Sequence, residues 1–271
     1  MVATFHTYLR SASARKGFTS RAWYHAFFGP TWLRTTPLEP LIKVILPSIG
    51  ILGELWLGHS SWMTLLGSDG KFVVDNINVW QHAAMYLAFV VSGAVDMLGH
   101  FAGLPSGAER GFLGLAFLIE GLLLAFHLKG PEIEVTMHLI VALLVFATVV
   151  SIAVEAAAPQ SLMVAAMRPA VTVLQGVWWI QMAYMMFLSN PAFDPDEMGG
   201  TMMTPVILVT HMLWVAVGTL FLLLVMRFLY SKFLGREVAF APLKNSEGNG
   251  RLNNLEDGEG ILELTDLRFH K

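Results

Sequence analysis

The stretch 119–139, IEGLLLAFHLKGPEIEVTMHL, carries Glu120, His127 and His138 in two strongly apolar runs joined by a short polar link. Imidazole with carboxylate is the donor set of Zn²⁺, Cu²⁺ and non-haem Fe²⁺, and two imidazoles on facing helices are an axial pair for haem. Helical spacing sets Glu120 and His127 on one stripe and Glu134 and His138 on another. The tight Lys129-Gly130-Pro131 link makes the two segments antiparallel neighbours. The hairpin therefore presents Glu120, His127 and His138 toward one pocket.

Other apolar segments add to this set. Counted at about 1.5 Å per residue from the outer helix ends, His82, Glu54, His138, Gln181, His211 and Glu120 fall roughly 5 to 12 Å in, and His127 about 2 Å. An ionisable group at such depth costs a few kcal/mol or more and faces the bundle interior. The candidate metal ligands are thus His82, His127, His138 and His211, for Zn, Cu, Fe or haem. Glu120 is the candidate catalytic carboxylate, and Glu54, Gln81 and Gln181 are suited to orienting the ligands. Met182, Met185, Met186, Met198, Met202 and Met203 offer thioethers for Cu(I), or simply gap-filling bulk.

The spacings HExxH and ExxH are absent, and so are GxSxG and a phosphate-cradling glycine loop. A plainer reading of the histidines is helix–helix hydrogen bonding, worth about 0.6 kcal/mol each. Asp96 and Glu155 lie toward the inner side, within reach of Arg110 or Arg168, and read as structural.

The elements that must position these groups are membrane helices. The chain has 271 residues, is 55% apolar and only 14% charged, with a mean hydropathy of +0.59; soluble domains carry about 25% charged residues. The pattern predicts an all-α, polytopic transmembrane helical bundle with spans near 40–59, 79–100, 111–128, 133–156, 169–188 and 204–229. Pro169 and Pro205 fall where a first helical turn tolerates proline. The chain contains no cysteine, which excludes disulfides, thiolate metal sites and palmitoylation.

Three regions result. Residues 1–38 form a basic segment with Arg10, Arg15, Lys16, Arg21 and Arg34, read as the cytosolic flank of the first span or as a transit-like sequence. Residues 39–236 form the bundle, and 237–271 a flexible, polar cytosolic tail. With the N-terminus inside, Lys43, Arg110, Arg168, Arg227, Lys232 and Arg236 all fall on the inner side. Both termini are then cytosolic. A plasma membrane or endomembrane location is expected over a mitochondrial one.

The motifs WQHAAMYLAFVVSGAVDML (80–98), IEGLLLAFH (119–127), MHLIVALLVF (137–146), LQGVWWIQMAYMMF (174–187) and HMLW (211–214) resemble the transmembrane protein 45 family. The tail EVAFAPLKNSEG resembles that family's ending. The resemblance implies a multi-pass protein of seven helices in plasma or internal membranes, with no established activity. It sets Glu54, His82, Asp96, Glu120, His127, His138, Gln175, Gln181 and His211 on recurring polar positions. The family's first helix, with its Gly-His and Pro-Gly motif, has no counterpart in residues 1–38.

Three functions suit these residues. A metal or haem centre would act on a lipophilic substrate or in redox chemistry. The same groups would line a proton, cation or small-solute path in a transporter. In a scaffold or regulator they would only specify packing. The expected partners are the lipid bilayer and a lipophilic small molecule or metal ion, not nucleic acid.

Overall fold

In a computed structural model the described residues are 1–13, 17–20, 25, 30–57, 64–105, 107–126, 128–187 and 191–234. His127 and the tail 237–271 lie outside them. The elements are α1 (Val2–Ser13), α2 (Thr31–Thr35), α3 (Leu38–Leu52), a π-helical turn (Gly53–Leu57), α4 (Val74–Ala102), α5 (Ala108–Ala125), α6 (Glu132–Ala157), α7 (Leu162–Phe187) and α8 (Met198–Leu234). A single turn of 3₁₀ helix, Pro191–Phe193, precedes α8.

From α3 to α7 each helix packs along the next, and α8 lies against α7, α6 and α1. The α6 helix is the hub. Its Met137, Val141, Val145, Thr148 and Ile152 are buried, and the apolar core runs from them to Phe117, Leu124, Leu174, Trp178 and Met182. Burial of this kind continues around α6 because it has neighbours on several sides. The α8 helix is the opposite case. It is apolar all round and leaves Val206, Val209, Leu213, Trp214, Val217 and Phe221 exposed, a surface suited to lipid.

Among the described residues four helices, α4, α6, α7 and α8, are long and apolar enough to cross a membrane. The chain is an all-helical, multi-pass membrane protein. The six long apolar spans read from the sequence are reduced by this count. The α3 helix has only 15 residues and passes into the π-turn. The α5 helix has 18, with Glu109, Arg110 and Glu120 among them.

The prolines also differ from expectation. Pro169 and Pro205 lie inside α7 and α8, because both helices begin seven residues earlier, at Leu162 and Met198. Each removes one backbone hydrogen bond from the helix interior.

Two ion pairs tie the ends of the α4–α5 and α6–α7 connections to the rest. Lys43 on α3 pairs with Asp96 on α4. Arg168 Nε donates to Glu155 Oε2 at 2.6 Å, and the Ser20 hydroxyl donates to the other oxygen of Glu155. The Ser20 backbone closes the cluster: its N–H donates to Pro159 O at 2.7 Å and its carbonyl accepts from Arg110 at 2.5 Å. Of the two arginines expected within reach of these acids, Arg168 takes Glu155 and Arg110 takes the Ser20 carbonyl, while Asp96 pairs with Lys43 instead. Nearby, α1 buries Phe5 and Leu9 and packs on α7 and α8.

Candidate functional site

A cavity of about 470 Å³ opens between α3, the π-turn, α4, α5, α6 and α7. It lies toward the end that carries the α3–α4, α5–α6 and α7–α8 connections. Its walls are mostly apolar and aromatic: Pro47, Met85, Tyr86, Phe89, Leu124, Trp179, Met182, Met186 and Phe187. Five ionisable side chains also line it, namely Glu54, His82, Glu120, Glu134 and His138.

Local structure explains how each arrives. Glu54 belongs to the π-turn, where the extra residue per turn changes the helical phase, a feature frequent at functional sites. Its Oε1 lies 3.2 Å from His82 Nδ1 on α4, near one opening of the cavity, where both side chains remain about a third exposed. His138 sits one turn after Glu134 on α6, and its Nδ1 lies 2.8 Å from the Glu134 carbonyl. A carbonyl only accepts, so Nδ1 carries the proton and the imidazole's orientation is set.

Glu120 lies deeper. It is 8% exposed, and Gln175 Nε2 donates to its two oxygens over long distances of 3.4 and 3.5 Å. Next to the amide the Thr148 hydroxyl lies 3.0 Å from Leu144 O and 3.3 Å from Gln175 Oε1, both acceptors, and its single proton is shared between them. A hydroxyl, an amide and a carboxylate thus form a chain across α6, α7 and α5. The amide can present its N–H toward Glu120 because its oxygen is engaged on the other side. Beneath them, buried Trp178 donates from Nε1 to Met137 O at 3.3 Å.

The sequence-derived set is only partly gathered. His82, His138, Glu120 and Glu54 share the cavity. His211 does not: it lines a separate hollow of about 330 Å³ with Val173, Val177, Trp214 and Gly218. Its ring meets Trp178 edge-on at 6.4 Å, and its buried Nδ1 has no hydrogen-bond partner among the described residues. Gln81 and Gln181 are half-buried on α4 and α7 and do not line the cavity. Met182 and Met186 do, whereas Met198, Met202 and Met203 are exposed on α8. His127 lies outside the described residues.

Among the described residues no three His, Asp or Glu side chains come together as a group that could hold a metal ion. Of the candidate ligands, His82 and His138 line the cavity and His211 lies away from it. The reason is geometric: α8 packs on the far side of α7 from the cavity, which takes His211 away. Sequence reading named Gln175 among the recurring polar positions without giving it a site role, and passed over Thr148. Both carry a visible signal, a polar side chain in an apolar helix, but only packing shows that they meet Glu120.

A family model described as "Family of unknown function (DUF716)" matches residues 106–197. That stretch runs from α5 to the turn before α8 and includes Glu120, Glu134, His138, Thr148 and Gln175. The chain is also similar to Transmembrane epididymal protein 1A of Mus musculus, at 25% identity over 208 residues. The alignment takes in 74% of this chain and 64% of that protein, so the chain spans less than two thirds of its relative's length. No solved structure matches. These matches correct the family suggested by the motifs: they return DUF716 and the epididymal protein, not transmembrane protein 45.

Proposed function

We propose that the chain is a six-span membrane protein whose cavity binds a lipophilic small molecule, with Glu120, His82 and His138 as its polar contacts. The observation that carries this reading is the cavity itself. Small-molecule sites are concave, about 300–1,000 Å³, mostly apolar, with a few convergent polar groups. Here apolar walls surround five ionisable side chains contributed by four separate elements. Helices that hold a polar-lined cavity inside a bilayer give a molecule partitioned into lipid a place to bury its polar group.

The six-span arrangement is supported by how the two shorter helices lie. Ideal Cβ positions at Gly114 and Gly121 of α5 approach Ile152 and Val145 of α6 within 3.6 and 3.2 Å. The two helices run antiparallel over that length, so α5 crosses the same slab that α6 crosses. The α3 helix does likewise along α4, from Gly50 beside Tyr86 to Lys43 beside Gly93 and Asp96. With its π-turn, α3 covers residues 38–57, about 30 Å at 1.5 Å per residue. The basic residues Lys43, Arg110, Arg168 and Lys232 favour the end with the α4–α5 and α6–α7 connections as cytosolic. The word "transmembrane" in the relative's name agrees.

Native mass spectrometry of the protein released from nanodiscs tests the binding reading. A wild-type adduct of small-molecule mass is expected, lost in Ala183→Trp, since Ala183 is one of the wall residues on α7. Retention of the same adduct in a folded Ala183→Trp protein would place the molecule elsewhere. A second reading, a metal or haem centre, draws on His82 and His138 sharing one cavity with Glu54 and Glu120. Stoichiometric metal or a Soret band in the same preparation, lost in His82→Ala/His138→Ala, is its signature.

A further inference from the structure

We infer that the occupant of this cavity carries a positive charge: a lipophilic ammonium with an aromatic or branched apolar body. The inference rests on the binding reading above and adds the chemical class of the ligand. Its starting point is an imbalance in the lining. Glu54, Glu120 and Glu134 face the cavity, and among the described residues no lysine or arginine does.

The other two buried membrane acids show what a carboxylate needs there. Asp96, 3% exposed, has Lys43, and Glu155, 1% exposed, has Arg168. Glu120 is nearly as enclosed, yet among the described residues its hydrogen bonds come from the neutral Gln175 amide alone, at 3.4 and 3.5 Å. Buried charges are paired in proteins because an unpaired one loses its hydration without compensation. The Thr148–Gln175 chain aims an amide N–H at both Glu120 oxygens, which holds the carboxyl in one orientation. A cation entering the cavity completes the same pattern that Lys43 and Arg168 complete elsewhere.

The walls decide what kind of cation. A small hydrated ion needs oxygen ligands on several sides, whereas most of this surface is carbon. Tyr86, Phe89, Trp179 and Phe187 instead offer aromatic rings, and rings attract alkylammonium groups while also packing their apolar substituents. Glu54 and His82 at the opening give an entering cation a first acidic contact.

The test uses full-length protein in nanodiscs, with empty nanodiscs subtracted, and two tritiated probes. One is phenylbutyl-trimethylammonium, which is charged at every pH; the other is its uncharged tert-butyl isostere. Saturable binding of the cation at least about tenfold tighter than the isostere is expected, with a loss of about tenfold or more in Glu120→Gln, the scale of a partly desolvated contact between opposite charges. Gln175→Leu, which leaves the carboxylate in place but removes its orienting amide, is expected to give an intermediate loss. Equal binding of both probes, or binding of the isostere alone, overturns the cationic ligand and leaves the lipophilic cavity standing. Binding of neither probe, with no adduct in the mass spectrum, overturns both. Cation binding unchanged in a folded Glu120→Gln protein overturns the assignment to this carboxylate.

Discussion

Glu155, Asp96 and Glu120 are three acids in one bundle, and their partners separate their roles. Glu155 is satisfied on both oxygens, by Arg168 and Ser20. Removing one member of such a buried pair leaves an uncompensated charge, so Arg168→Met should destabilise the protein by about 3 kcal/mol. The double change Glu155→Gln/Arg168→Met should recover most of that loss, because no charge is then stranded. Unfolding in a denaturing detergent titration reads both, and a double variant no better than the single one would refute the pairing as the cause. At the cavity, Gln175→Leu leaves Glu120 without its amide and should cost about 1–3 kcal/mol. Thr148→Val should cost less, since the Thr148 hydroxyl also bonds back to Leu144 O. That Glu155 would pair with an arginine on the inner side was legible in the sequence, but the choice of Arg168 over Arg110 was not, and neither was the pairing of Asp96 with Lys43. Nor was the amide chain to Glu120, because nothing in a linear pattern says which of several intramembrane amides faces which acid.

Helix pairs come next, and their contacts depend on single small residues. A Cβ at Gly93 would lie 2.9 Å from Lys43 Cβ and from Val44 Cγ2, and 3.0 Å from the Lys43 backbone carbon. Close approach at small residues is how membrane helices gain packing where water supplies no driving force between them. Gly93→Leu should therefore push α3 off α4, weaken the Lys43–Asp96 pair and lower stability by about 1–3 kcal/mol or more. The control is Gly176→Leu on α7, where no heavy atom lies within 4 Å of the added Cβ; its melting temperature should stay near that of the wild type. Equal losses in both would mean that leucine bulk, not the α3–α4 contact, is responsible. Hydropathy made the long helices readable, with α4, α6, α7 and α8 each close to a predicted span. It gave no warning of the π-turn, since the apolar run from Ile49 to Leu57 reads the same whether the helix has 3.6 or more residues per turn. That turn fixes where Glu54 points.

At the scale of the whole molecule the open quantity is the number of crossings, and the absence of cysteine makes it measurable. Single cysteines at Asp69, Ser161 and Asp194 fall in the α3–α4, α6–α7 and α7–α8 connections. If α5 crosses alongside α6, as their antiparallel contact from Gly114 to Gly121 requires, Asp69 and Asp194 share one face of the membrane and Ser161 has the other. If only α4, α6, α7 and α8 cross, α5 returns no chain to the starting side, so Asp69 and Ser161 share a face and Asp194 is opposite. The two topologies thus predict different pairs, with no dependence on labelling efficiency at any one site. In intact cells a membrane-impermeant maleimide should label Asp69→Cys and Asp194→Cys, and should reach Ser161→Cys only after permeabilisation. In the proposed orientation, taken from the basic residues, the Ser161 face is the cytosolic one. The same result bears on the cavity, because Glu120 is carried by α5: a crossing α5 holds that carboxylate within the bilayer, where a ligand must arrive through lipid or through the opening beside Glu54 and His82. Labelling of Ser161→Cys together with Asp69→Cys in intact cells would remove that crossing and the lipid-side approach with it.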